Sequence, residues 1–364
     1  MSLTVLSVAY VFAPVGPDAT GGAEQILSAL DQALVAAGHR SLVIACDGSD
    51  VAGELISTGA LPATFSDDLR VRAHQRHRRR IEEALRHWSV DVVHCHGLDF
   101  AEYLPPPGVP TLVTLHLPVD HYPPHKLAER RPGRYFNCVS ESQRLSFPSH
   151  DAMLPEISNG VAVSRLQARH ARRGFALALG RICPEKGFDI ALEAAALAHI
   201  PLLIGGRVFP YPDHKRYFNR EIRPRLGPRA RFLGNLGFAR KRRYLTAARC
   251  LVMPSRIAET SSLVAMEAIA CGTPVVAFPV GALPEIIEPG ITGFLVDNRR
   301  EMADAIHASA HIDSERCRAI ARRRFSSERM VESYFRYYHK LAGLSPAFAA
   351  DAGIVPGFCP DYAR

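Results

Sequence analysis

The sequence predicts an α/β protein built from two Rossmann-like domains facing each other across a cleft. Three observations carry that expectation. The chain has 364 residues, and at roughly 150 residues per domain this is two domains rather than one. Short apolar, β-branched runs alternate with amphipathic helical patterns, as parallel sheets require. The alternation also restarts once, after a polar and basic stretch at 141–172.

The elements follow in order. Leu3 to Phe12 is a continuous apolar run, read as a strand buried on both faces. A loop with Pro14, Gly16, Pro17, Gly21 and Gly22 leads to a helix over 22–37. Ile26, Leu27, Leu30, Leu34 and Val35 share one face of that helix, and Gly38 stops it. Ser41 to Cys46 is the next strand and completes a right-handed βαβ unit. A helix over 77–88 turns Ile81, Ala84, Leu85 and Trp88 inward. Val90–His94, Thr111–Leu115 and Asn137–Ser140 are the remaining strands of this half, which is expected to span 1–165.

The second series is expected over 166–325. Its strands are Phe175–Leu179, Pro201–Gly205, Ala230–Leu233, Cys250–Pro254, Pro274–Phe278 and Gly293–Val296. Its helices are 187–198, 237–248, 261–271 and 301–311. The aromatic stripe Met330, Tyr334, Tyr337, Tyr338 on a helix at 326–342 needs a second surface, so that helix is expected to cross back to the first domain. Residues 343–364 read as a tail.

Composition excludes several classes. No run of about 18 apolar residues exists, which argues against a transmembrane helix. The first residues lack a basic region, so a secretory signal is not expected and the protein is expected in the cytoplasm. Eight cysteines stand singly, with no C-x-x-C pair, as reduced thiols do. No G-x-G-x-x-G follows the first strand, which disfavours a hydride-transferring dinucleotide enzyme.

Two segments carry chemistry. In Glu259-Thr-Ser-Ser-Leu-Val-Ala-Met-Glu267, two glutamates flank a helix start near Ser261. Orphan N–H groups and the helix dipole make such a start an anion site. The plainer alternative is an N-cap followed by a solvent-facing glutamate. Gly180-Arg-Ile-Cys-Pro-Glu-Lys-Gly187 follows a buried strand and places Arg181 and Lys186 at its carboxyl end. A guanidinium fork and a point charge suit a diphosphate; a solvated surface turn is the alternative.

Together these segments resemble the retaining glycosyltransferases of family 4 (glycosyl transferase group 1), which have the GT-B fold. The second half carries the resemblance in GRICPEKGFDIALEAA, MPSRIAETSSLVAMEAIACGTPVVAF and GALPEIIEPGITGFLV. The first half carries it in GGAE at 21–24, VVHCHG at 92–97, TLH at 114–116, NCVSES at 137–142 and ISNGV at 157–161. The resemblance implies that Arg181 and Lys186 hold the donor diphosphate and that Glu267 holds the nucleotide ribose. It implies that Glu259 and His116 face the transferred sugar. Backbone amides of Ser262, Leu263 and Val264 would touch the diphosphate, and Gly21 and Gly22 would close on the sugar phosphate. The family often has Gly or Phe where this chain has Thr260, Ser261 and Ser262, and Ala162 replaces its common acidic residue.

The reaction so implied moves a sugar from a nucleotide-diphosphate-sugar donor to a saccharide, lipid-linked or small-molecule acceptor, with no cofactor. No metal is expected: His94 and His96 share a strand end but lack further ligands at suitable spacing, and the basic pair can neutralise the diphosphate. Seven arginines at 70–88, and twelve Lys and Arg against two acidic residues at 207–243, add a basic surface. That surface admits peripheral contact with anionic lipid at the inner membrane face. Nucleic acid is not expected, because no aromatic residues interleave to stack bases. The competing readings are another GT-B enzyme, such as a sugar-nucleotide epimerase or a phosphorylase, or a non-catalytic relative that binds nucleotide-sugar or anionic lipid.

Overall fold

The computed structural model describes residues 2–61, 66–168 and 170–343. The tail expected from 343 therefore lies, beyond Gly343, outside the described residues. The chain forms two compact units. Among the described residues, one holds those up to Ser158 and those from Met330 to Gly343; the other holds those from Asn159 to Arg329.

The first unit begins with β1 (Thr4–Val8), α1 (Gly22–Ala36), β2 (Arg40–Ala45), β3 (Glu54–Ser57) and α2 (Asp67–His87). It continues with β4 (Val92–Cys95), β5 (Thr111–Leu115), α3 (Pro124–Ala128), β6 (Arg134–Cys138) and α4 (Glu141–Ser146). Its six strands lie in the order β3-β2-β1-β4-β5-β6, every neighbour parallel. The central strands are buried on both sides, which explains their unbroken apolar runs.

The second unit holds α5 (Val163–Leu166), β7 (Ala176–Leu179), α6 (Phe188–Leu197), β8 (Leu202–Gly205), α7 (Pro212–Tyr217), β9 (Ala230–Phe232) and α8 (Phe238–Ala247). Then come β10 (Cys250–Met253), α9 (Leu263–Ala270), β11 (Val275–Ala277), α10 (Leu283–Ile286), β12 (Gly293–Leu295), α11 (Arg299–Ala308) and α12 (Ser314–Arg324). The sheet order is β12-β11-β10-β7-β8-β9, again all parallel. Residues 159–166 belong here because Val161 pairs with Ser326 and α5 packs on α9.

A final helix, α13 (Ser327–Leu341), passes from the second unit into the first, which it joins at Met330. Its tyrosines enter a polar network in the first unit. His94 Nδ1 lies 2.7 Å from Tyr338 Oη, and His94 Nε2 lies 2.7 Å from Thr114 Oγ1. Thr114 donates to Asn137 Oδ1 at 2.7 Å, and Asn137 Nδ2 donates to Tyr334 Oη at 3.3 Å. With its proton on Asn137, Thr114 must accept from His94 Nε2. Tyr338 then donates to His94 Nδ1, so the ring is neutral. Burial likewise pushes the His94 pKa well below its ordinary value.

Several elements differ from expectation for local reasons. α2 starts at Asp67 rather than 77. Ser66 caps it by accepting from Leu69 N, and its inward face is Ala73, His77, Ile81 and Ala84, too sparse to stand out among seven arginines. β6 is Arg134–Cys138 rather than Asn137–Ser140, because Ser140 is the N-cap of α4 and accepts from Gln143 N. β3 is short and half-buried, and α12 buries only Cys317, Ile320 and Ala321, so neither shows an apolar run. Among the described residues no helix is long and apolar enough to cross a membrane.

Candidate functional site

In each sheet the strand order reverses once, and ligands of open α/β sheets bind outside the carboxyl ends at that point. In the second unit the reversal falls between β7 and β10, which pair at Leu177 and Leu251. The chain leaving β7 is the loop with Arg181 and Lys186. The chain leaving β10 leads through Ser255 and Glu259 to α9. The two sequence segments singled out above are thus neighbours at one sheet edge.

Their geometry is specific. Lys186 Nζ lies 2.5 Å from Glu259 Oε1, and Ser255 Oγ donates to the same oxygen at 2.8 Å. Two glycines permit this approach. Gly187 has φ +66°, and a Cβ there would meet Pro254 O at 2.1 Å. Gly281 has φ +56°, and a Cβ there would meet Glu259 O at 2.2 Å. Ala282 N donates to Glu259 O at 2.7 Å, so the GALPE loop holds the glutamate's backbone.

The cap of α9 is Ser262, one residue beyond the expected start, and its Oγ accepts from Ala265 N at 3.3 Å. Leu263 and Val264 are the first two helical residues, so their N–H groups have no acceptor within the helix. Ser261 Oγ is buried there without a hydrogen-bond partner. Glu259 and Glu267 are 8% and 6% exposed, which rules out the solvent-facing alternative. Glu267 Oε1 is 2.6 Å from Lys241 Nζ on α8. Lys241 was missed in the sequence because it sits in the basic run 240–243, which reads as a solvated face.

Arg181 is exposed, and its charge acts on Glu185 and His214. Burial pushes the Glu185 carboxyl up. A hydrogen bond with the Cys183 thiol, its own backbone and Arg181 outweigh that and leave it below the ordinary value.

In the first unit, Gly21 is the N-cap of α1 and Gly22 its first residue. His116 follows β5 directly. Its backbone N donates to Tyr122 Oη at 3.0 Å, and Gln143 Nε2 donates to the carbonyls of Leu115 and Leu117, each at 2.8 Å. His116 Nε2 is 3.1 Å from His96 Nδ1, and burial lowers the His116 pKa to about 4, so the ring is neutral. The His94 and His96 rings stand 3.9 Å apart. Arg76 and Arg80 donate to the backbone carbonyls of Thr58 and Ser57, and Arg78 to that of Glu102, so three arginines of α2 tie it to its own unit. The seven cysteines among the described residues are free and buried.

Comparisons with known proteins agree with this architecture. The family model "Glycosyltransferase Family 4" matches residues 20–183, and "Glycosyl transferases group 1" matches residues 174–310. The D-inositol 3-phosphate glycosyltransferase of Mycobacterium sp. (strain KMS) is 38% identical over 134 residues, 35% of this chain and 30% of that protein. The chain thus matches less than a third of that relative's length. Among solved structures, sucrose-phosphate synthase from Thermosynechococcus elongatus superposes with a TM-score of 0.77 at 20% identity, over 94% of this chain and 100% of that one. Anabaena Alr3699/HepE, in complex with UDP and glucose, gives 0.73 at 19% identity, over 92% and 99%. These structural likenesses show the fold, and the two family models, which between them run from residue 20 to 310, show that the chain belongs to the family 4, group 1 glycosyltransferases.

Proposed function

We propose that the chain transfers a sugar, with retention, from a nucleotide-diphosphate-sugar to a hydroxyl acceptor, and that the diphosphate needs no metal. The observation that supports this best is the convergence of Lys186, Glu259 and the first turn of α9 at the β7/β10 edge. Arg181, Lys186 and the amides of Ser262, Leu263 and Val264 would hold the diphosphate. Glu267 would accept from the ribose hydroxyls, with Lys241 fixing its carboxylate. Glu259, held by Lys186 and Ser255, would accept from hydroxyls of the sugar.

In the reaction the bond from the anomeric carbon to the diphosphate oxygen breaks, and the acceptor oxygen bonds to that carbon on the same face. The acceptor proton passes to the leaving diphosphate. The protein supplies positioning and stabilises the departing charge. His116, neutral and clamped by Tyr122 and Gln143, is proposed to face the sugar, and Gly21 and Gly22 to approach its phosphate. Anionic lipid is a proposed peripheral contact of the α2 face, tested by sedimentation with anionic vesicles at low salt.

The test is a panel of nucleotide-sugars assayed for release of nucleoside diphosphate, with the anomeric configuration of the product read by NMR. At least one donor turned over with retention is expected. A chain that turns over none of them, or inverts the configuration, overturns the reading.

A further inference from the structure

We propose that Cys183, Glu185 and His214 form a site for a thiophilic divalent metal of the zinc type, built from side chains that the proposed transfer does not use. One ligand atom from each residue lies within 4.8 Å of the other two. Zinc bonds of about 2.3 Å to sulfur and about 2.0–2.2 Å to nitrogen or oxygen bring tetrahedral ligands to roughly 3.3–3.7 Å from one another. The three atoms, each from a different side chain, stand within about one ångström or so of that spacing at most.

The surroundings favour a bound cation. Cys183 is fully buried and His214 is 9% exposed. Glu185 Oε2 and His214 Nδ1 are buried with no hydrogen-bond partner. The Cys183 thiol donates to Arg181 O at a long 3.5 Å, and its sulfur is within 4.8 Å of a Glu185 carboxylate oxygen. Cys183 is extended in the loop that follows β7, and Glu185 comes two residues later. His214 comes from α7, its ring at 5.1 Å from Tyr211 and 6.2 Å from Phe209, both edge-on, which fixes its orientation. On binding, the thiol proton leaves to solvent and the metal–sulfur bond forms. Thiolate and carboxylate then cancel the metal's charge, so the nearby Arg181 meets a neutral complex. Sulfur and imidazole select zinc or cobalt over magnesium or calcium. Three protein ligands leave the fourth position to water.

The test uses the full chain, stripped with a chelator and titrated with zinc chloride and then with cobalt chloride. One equivalent of zinc should bind and raise the melting temperature. Cobalt should give a near-ultraviolet thiolate charge-transfer band. Cys183→Ser should abolish that band, and Cys183→Ser and His214→Ala should each weaken binding by about tenfold or more. His96→Ala should leave binding unchanged. Melting of the metal-free variants shows whether each is folded, and His214→Ala keeps the test intact if Cys183→Ser is not. Absence of stoichiometric binding overturns the proposal. So does binding that persists undiminished in both variants, because the metal then lies elsewhere.

Discussion

Lys186 Nζ lies 2.5 Å from Glu259 Oε1, so the loop after β7 and the segment before α9 are joined by a charge-assisted hydrogen bond. A residue assigned to the diphosphate from sequence therefore also orients a residue assigned to the sugar. Lys186→Ala should lower turnover by about two orders of magnitude. It should also cost about 1–3 kcal/mol of stability, since buried Glu259 keeps only Ser255 on that oxygen. Arg181→Ala should lower turnover similarly and leave the melting temperature almost unchanged, because Arg181 is exposed. Turnover and melting of the two variants check both statements, and near-normal turnover in both contradicts the diphosphate assignment.

The Lys241–Glu267 pair makes a different prediction. If Glu267 accepts from the ribose, the protein discriminates against a 2′-deoxyribonucleotide donor. Glu267→Gln should narrow that preference by about tenfold, the worth of one hydrogen bond to a charged group. Lys241→Met should weaken donor binding in the same direction, because the buried carboxylate loses its partner at 2.6 Å. An unchanged preference in Glu267→Gln places the ribose elsewhere.

Much of this was legible in the sequence. Continuous apolar runs marked strands buried on both faces, and β5 has the expected bounds. The two glutamates stood out by their spacing about a helix start, and the basic loop because it follows a buried strand directly. Lys241, Gln143 and the Cys183–Glu185–His214 group were not found. Each acts through a partner distant in sequence, and neither periodicity nor spacing reports such contacts. Lys241 lay hidden in a basic run, and the first turns of α2 lay hidden because His77 fills an apolar place in its buried face.

The network under α13 predicts a stability effect. Tyr338→Phe removes the donor to His94 Nδ1 and leaves a buried acceptor unpaired. This should cost about 1–3 kcal/mol and lower the melting temperature. His94→Asn in the same background should then cost less than it does alone. Full additivity of the two changes contradicts the donor order described for the network.

Acid sensitivity follows from His77. Burial lowers its pKa from 6.5 to about 4. The unfolded chain therefore binds a proton below about 6.5 that the folded chain refuses until about 4, and stability falls as pH drops through that window. His77 alone should cost about 2 kcal/mol between pH 7 and pH 5. His94, His96 and His116 act in the same sense. Urea denaturation of His77→Leu should show a shallower loss over that range than the unaltered protein. Equal losses contradict the burial of a neutral ring.

The most direct test of the donor site is calorimetry with nucleoside diphosphates in the presence of EDTA. The account predicts that at least one nucleoside diphosphate binds without divalent metal, and that Arg181→Ala weakens it by about tenfold or more, as losing a charge-assisted hydrogen bond requires. Binding that needs a divalent ion, binding indifferent to Arg181→Ala, or no binding by any nucleoside diphosphate would contradict it.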